Sequence, residues 1–203
     1  AAASGRAAAF FARRPAGLAG QGRARVPPAW SEGQPAVRAV ESAQTPALHA
    51  AFLECADAAA LDPTFAPVPE GEIAELVARS EADASQERGF RMRSIHAGPA
   101  GELAGYFHLM EDVPAAGDAW LSILAIRPRF RRSGVGAAVI VRLKREFAAG
   151  GFRCALARVY LANVPALSFW MRQGFTEIVP HRGDFVGSDQ GKPCIVLRAT
   201  LGR

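Results

Sequence analysis

The chain has 203 residues, half of them apolar and about a fifth charged, enough for one α/β domain with a core of its own. No run approaches the roughly 20 continuous apolar residues of a membrane span, and Cys55, Cys154 and Cys194 form no C-x-x-C pair, while His49, His96, His108 and His181 show no ligand spacing. A helical membrane protein, a disulfide-framed secreted domain and a metal site are therefore not expected, and reduced thiols point to a cytoplasmic compartment. The net charge of +5 is spread unevenly, +4 over residues 1–36, −9 over 37–118 and +10 over 119–203, which is unlike a uniformly basic nucleic-acid binder. Either the two halves neutralise each other in space, or the basic half receives an anionic ligand and the acidic half a cationic one.

Residues 1–35 are rich in Ala, Gly and Arg and carry no acid before Glu32. Such a segment is a flexible arm, a start-site extension in a chain of Ala/Arg-biased composition, or an organelle-targeting sequence, the last an alternative to the cytoplasm. Pro27, Pro28, Gly33 and Pro35 mark a linker, which places the functional domain at 36–203. The pattern then predicts a short strand over 36–40 and a helix opening at Thr45-Pro46, capped by the Thr45 hydroxyl and carrying Leu48, Phe52 and Leu53 on one side. A second helix over 70–80 has Ile73, Leu76 and Val77 as its buried stripe. Residues 90–96 and 102–110, joined by AGPAG, read as an antiparallel hairpin.

Residues 119–126 (AWLSILAI) are nearly all apolar, as in a central strand buried on both faces. A basic glycine turn follows, then a helix over 135–149 closed by Gly150-Gly151. A strand over 154–161, a short helix over 165–173 and strands over 175–180 and 194–201 complete the order, with the polar loop HRGDFVGSDQGKP before the last strand. This order describes an α/β fold with a mixed, mainly antiparallel central sheet and helices on both faces.

The basic turn is either a solvated loop before a core helix or the holder of a phosphate-rich ligand. A helix N-terminus presents unpaired N–H groups and the positive end of a dipole, and Gly134 and Gly136 let a ligand approach the backbone. Arg129, Arg131 and Arg132 add attraction for phosphate. No G-x-x-x-x-G-K-[ST] run exists, which excludes a P-loop. A dinucleotide fingerprint fails because Val139 takes the third glycine position and an antiparallel hairpin precedes the turn.

Coenzyme A remains. Arg131, Gly134 and Gly136 form R-x-x-G-x-G, and Asn163, Ala166, Phe169, Trp170, Gly174 and Phe175 follow the pattern N-x-x-A-x-x-L-Y-x-x-x-G-F. With Leu124, Ile126 and Pro128 as an L-x-V-x-P strand end, the stretch from about 38 to 201 resembles the GNAT family of N-acetyltransferases. The resemblance implies that the fourth and fifth strands splay apart and that the Leu124, Ala125 and Ile126 backbone holds the pantetheine arm. It further implies that Arg131, Arg132, Ser133, Gly134, Val135, Gly136 and Ala137 cradle the pyrophosphate, with Asn163, Phe169 and Trp170 lining the cofactor. Acetyl-CoA is then the acyl donor.

Direct transfer to an amine needs a base for the ammonium and a proton for the leaving thiolate. The family's usual tyrosine acid is replaced by Trp170, whose indole is no acid near neutral pH, and Tyr160 is the substitute candidate. Ser122 stands where many relatives carry glutamate, which leaves Glu111, expected with Asp112 to face the cleft mouth, and His108 as candidate bases. The acidic stretch 54–87, with Asp184 and Asp189 in the late loop, suggests a cationic acceptor, either a small-molecule amine or a peptide. The leading function is an acetyl-CoA-dependent N-acetyltransferase. The alternatives are a non-catalytic acyl-CoA-binding sensor or regulatory module and a nucleotide-binding protein of dinucleotide type. Exposed terminal strands allow a homodimer.

Overall fold

The computed structural model describes residues 26–27, 29–30, 33, 35–83, 89–180 and 192–202. The elements are β1 (Ala36–Ala39), α1 (Thr45–Glu54), α2 (Glu70–Ala82), β2 (Phe90–Ala97), β3 (Glu102–Glu111), β4 (Asp118–Ile126), α3 (Val135–Ala149), β5 (Cys154–Tyr160), α4 (Val164–Arg172), β6 (Glu177–Val179) and β7 (Cys194–Thr200). They follow the predicted order. The seven strands form one sheet in the order β1-β2-β3-β4-β5-β7-β6. Every pair is antiparallel except β4 with β5.

Each face of the sheet is covered because the helices are apolar on one stripe only. On one face Val139, Ile140, Leu143 and Phe147 of α3 pack with Phe107, Leu121, Ala155 and Ala157. On the other, Leu48 and Phe52 of α1 and Ile73 and Val77 of α2 pack with Met92, Tyr106 and Trp120. Two local details differ from the sequence reading. Leu53 is exposed, because its helical angle carries it away from the Leu48–Phe52 stripe. Thr45 is buried as the first residue of α1 rather than its cap; a 3₁₀ turn over Ser42–Gln44 precedes it, and the Glu41 N–H donates to Gln44 Oε1 at 2.9 Å.

The folded unit also reaches past the expected boundary at 36. Val26 and Trp30 are buried, Trp30 exchanges two backbone hydrogen bonds with Val37, and its ring stacks on Phe107 at 6.4 Å. No described helix is long and apolar enough to cross a membrane, and the described residues contain no group of three His, Cys, Asp or Glu placed to hold a metal ion.

Candidate active site

The two parallel strands part company. β4 pairs with β5 only from Asp118–Cys154 to Leu121–Ala157; beyond that, β4 stays with β3 while β5 stays with β7. An extra residue marks the point of divergence. His108 opposes Ile123 and Leu109 opposes Leu121, leaving Ser122 as a bulge in β4, and a bulge bends and twists its strand. Gly105 lets β3 follow that bend, since a Cβ there would lie 2.0 Å from the Ala125 carbonyl oxygen. The gap is a cleft of about 680 Å³, within the range of small-molecule sites.

Both faces of the sheet contribute to its lining. On the α3/α4 side stand the β4–α3 turn, Asn163, Phe169 and Trp170; on the α1/α2 side stand Cys55, Ala58, Asp62, Thr64 and Phe65. Past Leu121, β4 offers the cleft a strand edge with no partner on β5, a surface that an extended amide-bearing chain can pair with.

The turn has the geometry of an anion cradle. Arg132 (φ 60°) and Gly134 (φ 88°) both adopt the left-handed conformation, and Arg132 does so with a full side chain, a strain that marks functional turns. Such turns aim successive N–H groups into one concavity. The first N–H groups of a helix lack intrahelical acceptors, and Ala138 donates back to the Gly134 carbonyl at 2.9 Å. A Cβ on Gly134 would meet nothing within 4 Å, and one on Gly136 would make ordinary contacts with Phe169 at 3.5 Å and Ile126 at 3.6 Å. The concavity is open to a ligand rather than filled by protein.

Leu124, Ala125, Ile126, Arg131, Arg132, Gly134, Gly136, Ala137, Asn163, Phe169 and Trp170 all line the cleft. Ser133 and Val135 do not; the Ser133 hydroxyl donates instead to the Phe130 carbonyl at 2.6 Å. Asn163 caps α4 by accepting from the Ala166 N–H at 3.2 Å. Trp170 packs edge-on against Phe175 at 4.8 Å and Phe169 at 5.4 Å, as befits a residue whose role is shape.

The three catalytic candidates lie elsewhere. Glu111 opposes Ala119, at the end of β4 that is still paired with β5, away from the splay. It is buried, accepts from the Val26 N–H at 3.0 Å and faces Arg91 at 3.8 Å, so it does not reach the cleft mouth. His108 is fully buried between Phe90 and Tyr106, and burial pushes its pKa down to about 3. Tyr160 is buried opposite Cys194 on β7, with the Arg158 guanidinium 5.3 Å from its ring centre. None of the three lines the cleft.

Two carboxylates of the acidic stretch, Glu54 and Asp57, are tied to arginines of the basic half. Arg127 forks onto Glu54, and Arg131 donates to Asp57 at 2.5 and 2.9 Å, which holds both carboxyls below the usual carboxylate range. Arg129 pairs with Glu102 at 2.8 Å. Part of the charge polarity is thus neutralised in space. Asp62 is the one carboxylate among the described cleft-lining residues, and it accepts from the Thr64 N–H at 2.9 Å. Asp184, Asp189 and Glu87 lie outside the described residues. Thr64, Phe65, Arg158 and Arg172 were not singled out from sequence; Arg158 had a signal, an arginine inside the otherwise apolar strand CALARVY.

A sheet split between parallel strands four and five, with a glycine-containing turn before a helix at the end of the first, is the architecture expected from the resemblance to acyltransferases. The sequence profile of the acetyltransferase (GNAT) family matches residues 56–175, and the chain belongs to that family. Among solved structures it is similar to an acetyltransferase from Thermus thermophilus, with 25% identity over 81% of this chain and 96% of that one and a TM-score of 0.63. A probable GNAT acetyltransferase from Chromobacterium violaceum shares the fold at 18% identity over 93% of each chain and a TM-score of 0.67. So does the PaiA N-acetyltransferase from Thermoplasma acidophilum, solved with coenzyme A, at 13% identity over 81% and 97% and a TM-score of 0.57. No curated protein sequence matches the chain.

Proposed function

We propose that the chain transfers an acetyl group from acetyl-CoA directly to an amine of a small molecule or peptide. The observation that carries this reading is the cleft itself. An unpaired strand edge leads to a turn with two left-handed residues before a helix, where a Cβ on Gly134 would meet nothing within 4 Å, which suits an amide-bearing arm ending in a diphosphate. The coenzyme A in the Thermoplasma structure supports that choice of donor.

In this reading the β4 edge past Leu121 aligns the thioester, and the N–H groups of residues 132–137 hold the diphosphate. The acceptor enters on the α1/α2 side. There Asp62 takes the ammonium proton, directly or through a water, so that the amine nitrogen can form the new C–N bond as the C–S bond breaks. A strand-edge N–H donates to the carbonyl oxygen as charge builds on it. The leaving thiolate needs no acid from Trp170: the second proton, which the nitrogen sheds once the C–N bond has formed, passes through water to the thiolate, whose thiol ionises only at about pH 8.5. The acceptor carries a cationic amine, and Asp62 is the charge that meets it.

Release of coenzyme A thiol in the presence of a panel of amines tests the proposal, with formation of the acetylated amine as the second readout. One observation favours a second reading: Glu111, His108 and Tyr160 are all outside the cleft, as they could be in a non-catalytic acyl-CoA sensor. Turnover with any amine excludes that sensor, and tight donor binding with no turnover across the panel supports it.

A further inference from the structure

Arg131, the arginine of R-x-x-G-x-G, is already committed. Its Nε donates to the Ile126 carbonyl at 2.8 Å, and its two Nη groups donate to Asp57 at 2.5 and 2.9 Å. This is the planar fork geometry that makes Arg–carboxylate pairs directional. A second fork joins Arg127 to Glu54, and Arg127 Nη1 also donates to the Leu103 carbonyl at 2.8 Å. The matching of the two forks is local in origin. α1 ends at Glu54 and continues as a 3₁₀ turn over Cys55–Ala58, and at three residues per turn Glu54 and Asp57 project on one side. Cys55 and Ala58, which flank Asp57, line the cleft, as do Ile126 and Arg131. The wall of the cleft on the α1/α2 side and the anion-binding turn are thus stitched into one unit.

We propose that Asp57 is a positioning residue for the donor: through Arg131 it fixes the turn whose N–H groups hold the diphosphate, without touching the ligand. This role rests on the donor-site reading above. The opposing account has Arg131 as a phosphate ligand that Asp57 merely competes for. The two accounts differ in sign. If Asp57 positions the turn, removing its charge weakens donor binding. If it competes, removing it frees Arg131 and tightens binding.

The experiment is calorimetric titration of the full chain with coenzyme A, comparing wild type with Asp57→Asn, Asp57→Glu, Arg131→Met and the double variant Asp57→Asn/Arg131→Met. Glu177→Gln, in the Arg198 pair at the far edge of the sheet, is the control. For a half-exposed bidentate pair the expected rise in Kd is about fivefold for Asp57→Asn and for Arg131→Met. The double variant should be no worse than either single one, since both break the same link. Asp57→Glu should keep most of the affinity, and Glu177→Gln should keep all of it. Unchanged or tighter binding by Asp57→Asn, or losses that simply add in the double variant, would overturn the positioning role while leaving the donor site intact. Absence of binding by the wild type would overturn the donor-site reading and the positioning role together.

Discussion

The α3/α4 side of the cleft comes from two local stretches of chain, β4 with its turn and the start of α3, and Asn163 with α4, whereas the α1/α2 side is assembled from residues 55–65 and from Arg158, which alternates with the core residues Ala157 and Val159 on β5. The first is chiefly a backbone device of left-handed residues, helix N–H groups and an unpaired strand edge, backed by the Asn163, Phe169 and Trp170 side chains. The second depends on which side chains happen to converge. In the proposed reading, the difference separates donor from acceptor chemistry. A backbone cradle suits the part of the reaction common to the family, while dispersed side chains can vary with the acceptor.

The largest effect is expected on the side-chain half. Asp62→Asn keeps the hydrogen bond from the Thr64 N–H but removes the proposed base, so kcat/KM should fall by about 10² to 10⁴ while donor affinity stays unchanged by titration. A loss of donor affinity in step with turnover would erase the division between the two sides.

His108, on β3 beside β4, sharpens the comparison. Burial holds its pKa at about 3 against about 6.5 in an unfolded chain. Between those values the unfolded chain binds a proton that the folded chain refuses. Its contribution to stability is therefore fully present above about pH 6.5 and is lost as pH falls toward 3. His108→Phe should flatten the decline of Tm between about pH 7 and 5 and leave no His108 inflection to remove from the kcat/KM profile. Parallel Tm curves, or a profile that loses its acid limb in the variant, would return His108 to the list of bases.

On the backbone half, Gly136→Ala should leave Tm unchanged or slightly higher, because alanine suits a helix better than glycine and its Cβ makes only ordinary contacts. The same methyl intrudes where a ligand must approach, and Kd for acetyl-CoA should rise about tenfold, equivalent to roughly 1.4 kcal/mol. The smallest effect belongs to Asn163→Ala, which removes the cap of α4. It should cost about 1 kcal/mol and lower Tm by roughly 2–4 °C, read by thermal unfolding.

The backbone half was legible in the sequence for a physical reason. Glycine spacing, the basic turn and the Asn163–Phe175 pattern are local, and the element order followed from periodicity and turn chemistry alone. The splay was anticipated only through the family resemblance; its cause in this chain, the bulge at Ser122, depends on the register of β3 against β4 and leaves no mark in a single strand. The side-chain half failed for the same reason. Glu111 and His108 are polar residues at the end of the second hairpin strand, and nothing local reveals that Val26, Arg91 and Phe90 cover them. Glu54 and Asp57 counted toward an acidic rim because their arginine partners lie 73 and 74 positions away.

The central claim, that the turn and the β4 edge form a coenzyme A site, is tested most directly by calorimetric titration of the full chain with acetyl-CoA at physiological salt, with NAD as the comparison ligand. Micromolar binding of acetyl-CoA at one site, with no heat from NAD, is the predicted result. Equal binding of the two would reduce the turn to a general diphosphate site, and no binding of either would mean that the fold has been kept without its donor.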